Sequence, residues 1–258
     1  MSRRWLRTLH RRLGLKYRFD RWRRFVRRFG LRGAIQTHRR LRAPVGAVAE
    51  IRVPGLPHLV AVRTGTADVS TFEKVFVWGD YELEFPSDVR TVIDAGANAG
   101  FSAVFFACRF PQARIIAVEP QGENFRLLQR NVASYPNVTP VEAAVWSHDT
   151  VLALANPADR VDSYRYAPAA DGESVQALGV QSLLNRFGID TVDVLKVDVE
   201  GAEAELFADR PSWVHCVRMF VVELHGDAAV DGFTKSVAPL GGRRYRCGEN
   251  EVVMTASA

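Results

Sequence analysis

Two sets of side chains are spaced for acid–base chemistry. Lys196, Asp198 and Glu200 stand at alternate positions at the end of an apolar run, and Glu223 and His225 do the same further along. If both runs, Val192–Asp198 and Val217–His225, are strands, alternate side chains share a face and each set presents its groups together. A base held near a hydroxyl can take its proton as the oxygen attacks. His225 is the leading candidate for that base, because an ordinary imidazole pKa of ~6.5 leaves it neutral at cellular pH. Asp198 is the alternative base, and Glu223 the carboxylate that orients the imidazole. Lys196 reads as the partner of an acid. Against a chemical role, Asp198 and Glu200 precede Gly201–Ala208, which reads as helical, and acids there also complement a helix N-terminus. Three carboxylates and an imidazole could share Mg²⁺; no metal motif accompanies them, and no metal is assigned.

A second pattern suits a nucleotide. Val92-Ile93-Asp94-Ala95-Gly96-Ala97-Asn98-Ala99-Gly100 reads as a strand ending at an acid, a turn on small residues and the start of a helix. Glycines there permit backbone angles and a close ligand approach that a Cβ would block. Glu119 ends the next strand as its first residue able to reach solvent, where a carboxylate can accept hydrogen bonds from both hydroxyls of an adenosine ribose. A dinucleotide would need Gly-x-Gly-x-x-Gly. Asn98 stands in place of the second glycine and Asp94 puts negative charge where phosphates would lie, so an NAD oxidoreductase is the weakest reading. Asp94 instead suits the ammonium of S-adenosylmethionine, with Gly96 and Gly100 letting the backbone approach its methionine portion.

These residues resemble the FkbM-type S-adenosylmethionine-dependent methyltransferases, over roughly Arg63 to His225. Arg63-Thr64-Gly65-Thr66-Ala67-Asp68, with Phe72, Val75-Phe76 and Tyr81, is similar to that family's lead-in. Val92–Gly100 resembles its first motif and Val118-Glu119-Pro120 its second. Asp193–Glu203 resembles its most specific block, and Val222-Glu223-Leu224-His225 a later one. At Gln181 the family usually has Asp, a departure on the substrate side. The resemblance implies an α/β, Rossmann-like class I methyltransferase fold and methyl transfer, commonly to a hydroxyl of a natural product or glycan. In this fold an acid such as Glu142 often lies near the adenine amino group; an ordinary solvated carboxylate is the alternative.

The elements that must position these groups alternate. Strands are expected at Thr91–Ala95, Arg114–Glu119, Val138–Val145, Val192–Asp198 and Val217–His225. Helices are expected at Gly100–Arg109, Glu123–Ala133, Val180–Phe187 and Gly201–Ala208, and a hairpin at Arg243–Cys247 and Glu251–Thr255. Such alternation predicts a mainly parallel sheet covered on both faces, seven-stranded with a C-terminal antiparallel hairpin. Before it, residues 43–90 read as a β-rich collar or lid with strands Val48–Val53 and His58–Arg63, a short helix Ser70–Val77 and an extended piece Tyr81–Phe85. Asn156–Gln176 reads as a long loop of the kind that covers a site. Residues 91–258 form the expected cofactor-binding domain.

Charge sets residues 1–42 apart. They hold sixteen of the 34 Lys and Arg and one of the 29 Asp and Glu, a net +15, which leaves −10 on the rest of the 258-residue chain. Trp22, Phe25, Val26 and Phe29 fall on one helical stripe, and Leu6, Leu9 and Leu13 on a weaker one before Gly14. Such a stripe docks on the protein's own body or contacts a membrane surface peripherally; nucleic acid is the less favoured partner. Three cysteines in no metal or disulfide pattern favour a reducing, cytoplasmic compartment, at the inner membrane surface if the arm binds lipid. The function expected is O-methylation of a small molecule, glycan or lipid-linked sugar. An RNA methyltransferase using the arm, or a nonenzymatic membrane adapter retaining the fold, are the alternatives.

Overall fold

The computed structural model describes residues 3–154, 166–167 and 174–256. The chain divides into two compact units, Met1–Gly79 and Asp80–Ala258. Residues 1–42 and most of the expected collar thus belong together, while residues 80–90 belong to the second unit.

In the first unit, α1 (Arg3–Arg40) is interrupted at Gly30, which is outside helical geometry at φ 68°, ψ 167°. A straight helix would separate Trp22 from His38 by about 24 Å, yet their rings meet at 6.0 Å. The chain therefore turns back at Gly30, where a Cβ would strain the backbone. This turn folds the aromatic stripe inward: Phe25 is fully buried and packs on Phe29 and His38. Strands β1 (Val48–Arg52) and β2 (Leu59–Arg63) form an antiparallel hairpin, followed by α2 (Asp68–Glu73) and a π-helical turn, Lys74–Trp78. Arg21 forms a bidentate ion pair with Glu73.

The second unit is built on a sheet whose strands are β3 (Thr91–Ala95), β4 (Arg114–Val118), β5 (Val138–Val141), β10 (Val194–Val197), β11 (Met219–Glu223), β12 (Arg243–Cys247) and β13 (Asn250–Met254). Their order is β12-β13-β11-β10-β3-β4-β5. The five strands from β11 to β5 run parallel, and β13 inserts antiparallel between β11 and β12. This is the expected seven-stranded α/β architecture. Continuous apolar runs, such as Ile115–Val118, are buried because helices cover the sheet. These helices include α3 (Phe101–Arg109), α4 (Gly122–Val132) and α5 (Val180–Phe187). Strand order reverses between β3 and β10, and at such a switch point the carboxyl ends of the strands open a crevice for ligands.

Several local expectations are corrected. Val138–Val145 is two elements: β5, which carries Pro140 and stands at the sheet edge where a missing N–H is tolerated, and β6 (Ala144–Trp146). The latter joins a second sheet with β7 (Thr150–Leu154), β8 (Tyr166–Ala167) and β9 (Ser174–Gly179), in the order β6-β9-β7-β8. Of the expected loop Asn156–Gln176, residues 156–165 and 168–173 lie outside the described residues. Gly201–Ala208 contracts to α6 (Glu203–Leu206). Helix α7 (Asp227–Val237) was not expected. Tyr81–Phe85 forms no strand; Tyr81 and Phe85 instead pack on Phe106 of α3. Among the described residues, no helix is long and apolar enough to cross a membrane.

Candidate active site

The carboxyl ends of β3, β4, β10 and β11 bring both predicted sets of residues to one edge of the sheet. Register fixes the first contact: Lys196 of β10 lies directly across the ladder from Asp94 of β3. Both side chains are buried, with the ammonium 3.1 Å from Asp94 Oδ1. Lys196 also donates to the Gly96 carbonyl at 2.5 Å, and Ser102 Oγ donates to Asp94 Oδ2 at 2.6 Å. Burial alone would push the Lys196 pKa down; the Asp94 carboxylate, with Tyr81 and Asp198 behind it, outweighs burial and keeps the ammonium charged. Asp94 is therefore not open to a ligand's ammonium, as the sequence suggested. It ties β3 to β10 and to the start of α3.

The turn after β3 is set by the protein itself. Gly96 has φ +76°, and a Cβ there would lie 1.8 Å from the Asp198 carbonyl oxygen. A Cβ at Gly100 would meet Leu128 Cδ1 at 2.7 Å. Both glycines are required by neighbouring chain. Between them Asn98 adopts φ 49°, and its Oδ1 accepts the Ala99 N–H.

Glu119 follows β4 but does not reach solvent as expected; it is buried, only 5% exposed. Its Oε2 accepts the Asn98 N–H at 2.9 Å, and its Oε1 accepts the Gln121 N–H at 3.0 Å. The Asn124 amide approaches Oε1 at 3.4 Å. Burial pushes this carboxyl up to about 7, against the pull of those three donors. Two carboxylate oxygens offer about four acceptor sites, so capacity remains for a further donor. Glu142 is exposed just beyond β5, and a Cβ on Gly122 would stand 3.6 Å from its Oε1.

The second set converges on His225. Its Nδ1–H donates to Glu203 Oε1 at 3.0 Å, while Nε2 lies 3.6 Å from Glu223 and 3.7 Å from Glu200. Glu203 serves the local backbone, accepting the Val199 and Gly201 N–H groups. The Glu203 and Glu223 carboxylates raise the imidazole to about 10, overcoming its partial burial. His225 is thus an imidazolium at neutral pH, which overturns its assignment as a neutral base. Glu200 moves the other way in usefulness. Burial, then repulsion from Asp198, lifts it to about 7, while its side chain stays 34% exposed. A carboxylate poised near neutrality and reachable from the cleft is matched to proton transfer.

Sequence reasoning underrated Glu200 and missed Glu203. The signal for Glu203 was its place two residues after Gly201, from where a carboxylate folds back on the preceding backbone. Asp198 remains partly exposed, 4.0 Å from Lys196. Among the described residues, Asp198, Glu200 and His225 are those that could hold a divalent cation, since one ligand atom of each lies within 4.8 Å of the others. An imidazolium has no lone pair to give a metal, so His225 would first have to release the proton its carboxylates retain. One measurement checks this electrostatic assignment. By NMR titration, His225 is expected to stay protonated through pH 8, and Glu203→Gln to lower its pKa by more than ~1 unit. An ordinary titration near 6.5 in the unaltered protein would contradict it.

The Methyltransferase FkbM domain matches residues 94–238, more than half of the chain and the whole span that carries this site. The chain belongs to the FkbM methyltransferase family. Methyltransferase sdnD of Sordaria araneosa is 26% identical to this FkbM protein over 215 residues, covering 66% of this chain and 83% of the relative. Methyltransferase 1 of Beauveria bassiana (strain ARSEF 2860) is 28% identical over 160 residues, or 52% of this chain and 64% of that protein. Among solved structures, Aeropyrum pernix fibrillarin, crystallised with natively bound S-adenosylmethionine, is similar at a TM-score of 0.42. It shares 14% identity over 68% of this chain and 70% of that one. That likeness is too distant to add to the sheet order, which with the family match makes this FkbM protein an S-adenosylmethionine-dependent methyltransferase.

Proposed function

We propose that this FkbM methyltransferase methylates a hydroxyl oxygen, with Glu200 as the general base. The observation that carries the reading is the Glu200 carboxyl, lifted to about 7 and partly exposed beside His225 and Asp198 at the strand ends. The cofactor fits the donor set around it. Glu119 has acceptor capacity left for a ribose hydroxyl, and the acids at the ends of β10 and β11 suit a cationic sulfonium and ammonium. Bound there, S-adenosylmethionine would supply an electrophilic methyl carbon. Glu119 would hold the sugar, with the Asn98 and Gln121 N–H groups keeping its carboxylate aimed, and exposed Glu142 would be the acid toward the adenine amino group.

The acceptor hydroxyl lies against Glu200. Transfer of the methyl group to that oxygen, with the thioether as leaving group, would free the hydroxyl proton for Glu200 to take. Repulsion from Asp198 and Glu223 makes that proton welcome, because neutralising Glu200 relieves it. The imidazolium of His225, anchored by Glu203, holds Glu200 in place. Alignment of the two reacting atoms supplies the larger share of the rate, with proton transfer contributing roughly 10²–10⁴-fold.

The test uses methyl-labelled S-adenosylmethionine and a metabolite extract. Label is expected in a small product that withstands mild base, as an ether does. Release of labelled methanol in mild base would mean carboxylate methylation, and label confined to RNA would favour the alternative acceptor; either overturns this reading. A further expectation concerns pH. Affinity for the cofactor should rise as pH passes upward through about 7, because Glu119 must be ionised to accept a ribose hydroxyl strongly. Glu119→Gln should remove that rise, as calorimetry at several pH values would read.

A further inference from the structure

The surface of the first unit combines two chemistries. Among the described residues nine large apolar side chains are exposed, and seven of them lie between Tyr17 and Leu59. Four are on α1: Tyr17 at 57%, Phe19 at 61%, Leu31 at 60% and Ile35 at 41% exposure. Basic residues surround them at helical spacing. Before the break at Gly30, exposed Lys16, Arg23 and Arg27 share a face with Phe19, and the Arg23 guanidinium lies over the Phe19 ring. After it, Leu31 and Ile35 sit one turn apart, with exposed Arg32 and Arg39 beside them.

From this arrangement we infer that the outer face of α1 is a binding surface for an anionic lipid bilayer. The stripe at Trp22, Phe25, Val26 and Phe29, which sequence alone offered for that role, is not the contact, since the turn at Gly30 folds it inward. The outward set replaces it. Phosphate attracts the arginines whether it belongs to lipid or to nucleic acid. Leu31 and Ile35 decide between the two: an aliphatic pair has no partner along a phosphate backbone, whereas the boundary between headgroups and acyl chains takes apolar side chains beneath and cations above. The charge is complementary as well, with a net +15 over residues 1–42.

The experiment is co-sedimentation of the full-length protein with phosphatidylcholine vesicles, with and without phosphatidylserine. Binding is expected only with phosphatidylserine, weakening as salt is raised. Each basic residue near such a surface is worth roughly five-fold in partitioning. Arg23→Gln, Arg27→Gln, Arg32→Gln and Arg39→Gln together should therefore cut it roughly 600-fold. Leu31→Ser with Ile35→Ser, which keeps every charge, should cut it about 10-fold. All six positions are exposed, and unchanged circular dichroism of each variant would confirm that folding is not the cause. Failure to sediment with phosphatidylserine vesicles would overturn the inference. So would binding that ignores the Leu31/Ile35 pair, or tight binding to single-stranded RNA that the vesicles fail to displace.

Discussion

Replacing Glu200 by glutamine is expected to lower kcat roughly 10²–10⁴-fold while leaving the affinity for S-adenosylmethionine within about two-fold. Glutamine keeps the shape and loses only the ability to take a proton, so the loss falls on the chemical step. The pH profile separates this from misfolding. At saturating cofactor, kcat of the unaltered enzyme should climb as Glu200 ionises near pH 7 and level off above it. The variant's residual rate should show no such limb. The same profile separates Glu200 from Glu119, because ionisation of Glu119 acts on cofactor affinity and vanishes from kcat at saturation. If His225→Gln abolished the limb and Glu200→Gln preserved it, the base would be misassigned.

Lys196→Met is expected to produce the largest loss of stability. It removes the counter-charge of Asp94, fully buried at the centre of the sheet, and leaves a carboxylate no water can reach. Breaking one side of a buried pair costs about 3–5 kcal/mol, on the order of 10 °C in Tm for a chain of this size. Both groups are shielded from solvent, so the cost is not screened as at a surface. The double variant Asp94→Asn, Lys196→Met should recover a large part of the loss, since it removes the orphaned charge. Calorimetric Tm values for the single and double variants check this, and a single variant as stable as the parent would contradict it.

Much of the sheet was legible because burial on both faces writes itself as apolar runs with little ambiguity. Arg114–Val118 and Met219–Glu223 needed no more than that. The C-terminal hairpin was equally plain from its length and turn. Helix α7 escaped although Ala229, Phe233 and Val237 repeat at helical spacing, because small residues and Gly232 dilute the apolar face. The split of Val138–Val145 was hidden for the opposite reason, since residues on both sides of Glu142 are equally β-forming and only sheet pairing separates them.

The site was legible in composition but not in protonation. Asp94, Glu119, Asp198, Glu223 and His225 all stand at the strand ends where alternation placed them. What alternation could not state is who faces whom. Lys196 opposite Asp94 follows from strand register, and the His225 imidazolium follows from Glu203 folding back from α6. The first supplies the acid that Lys196 was expected to pair with, and the second inverts a role read from an isolated pKa. The two glycines likewise have their reason in Asp198 and Leu128, which lie far along the chain and come close only in the fold.

The most direct test is calorimetric titration of S-adenosylmethionine into the full-length protein at pH 8, where Glu119 is ionised, compared with Glu119→Ala. The account requires saturable one-to-one binding in the unaltered protein and, with the charge-assisted hydrogen bond to the ribose removed, a loss of roughly 10-fold or more. Equal affinity in the two proteins would place the cofactor away from the carboxyl end of β4 and contradict the account.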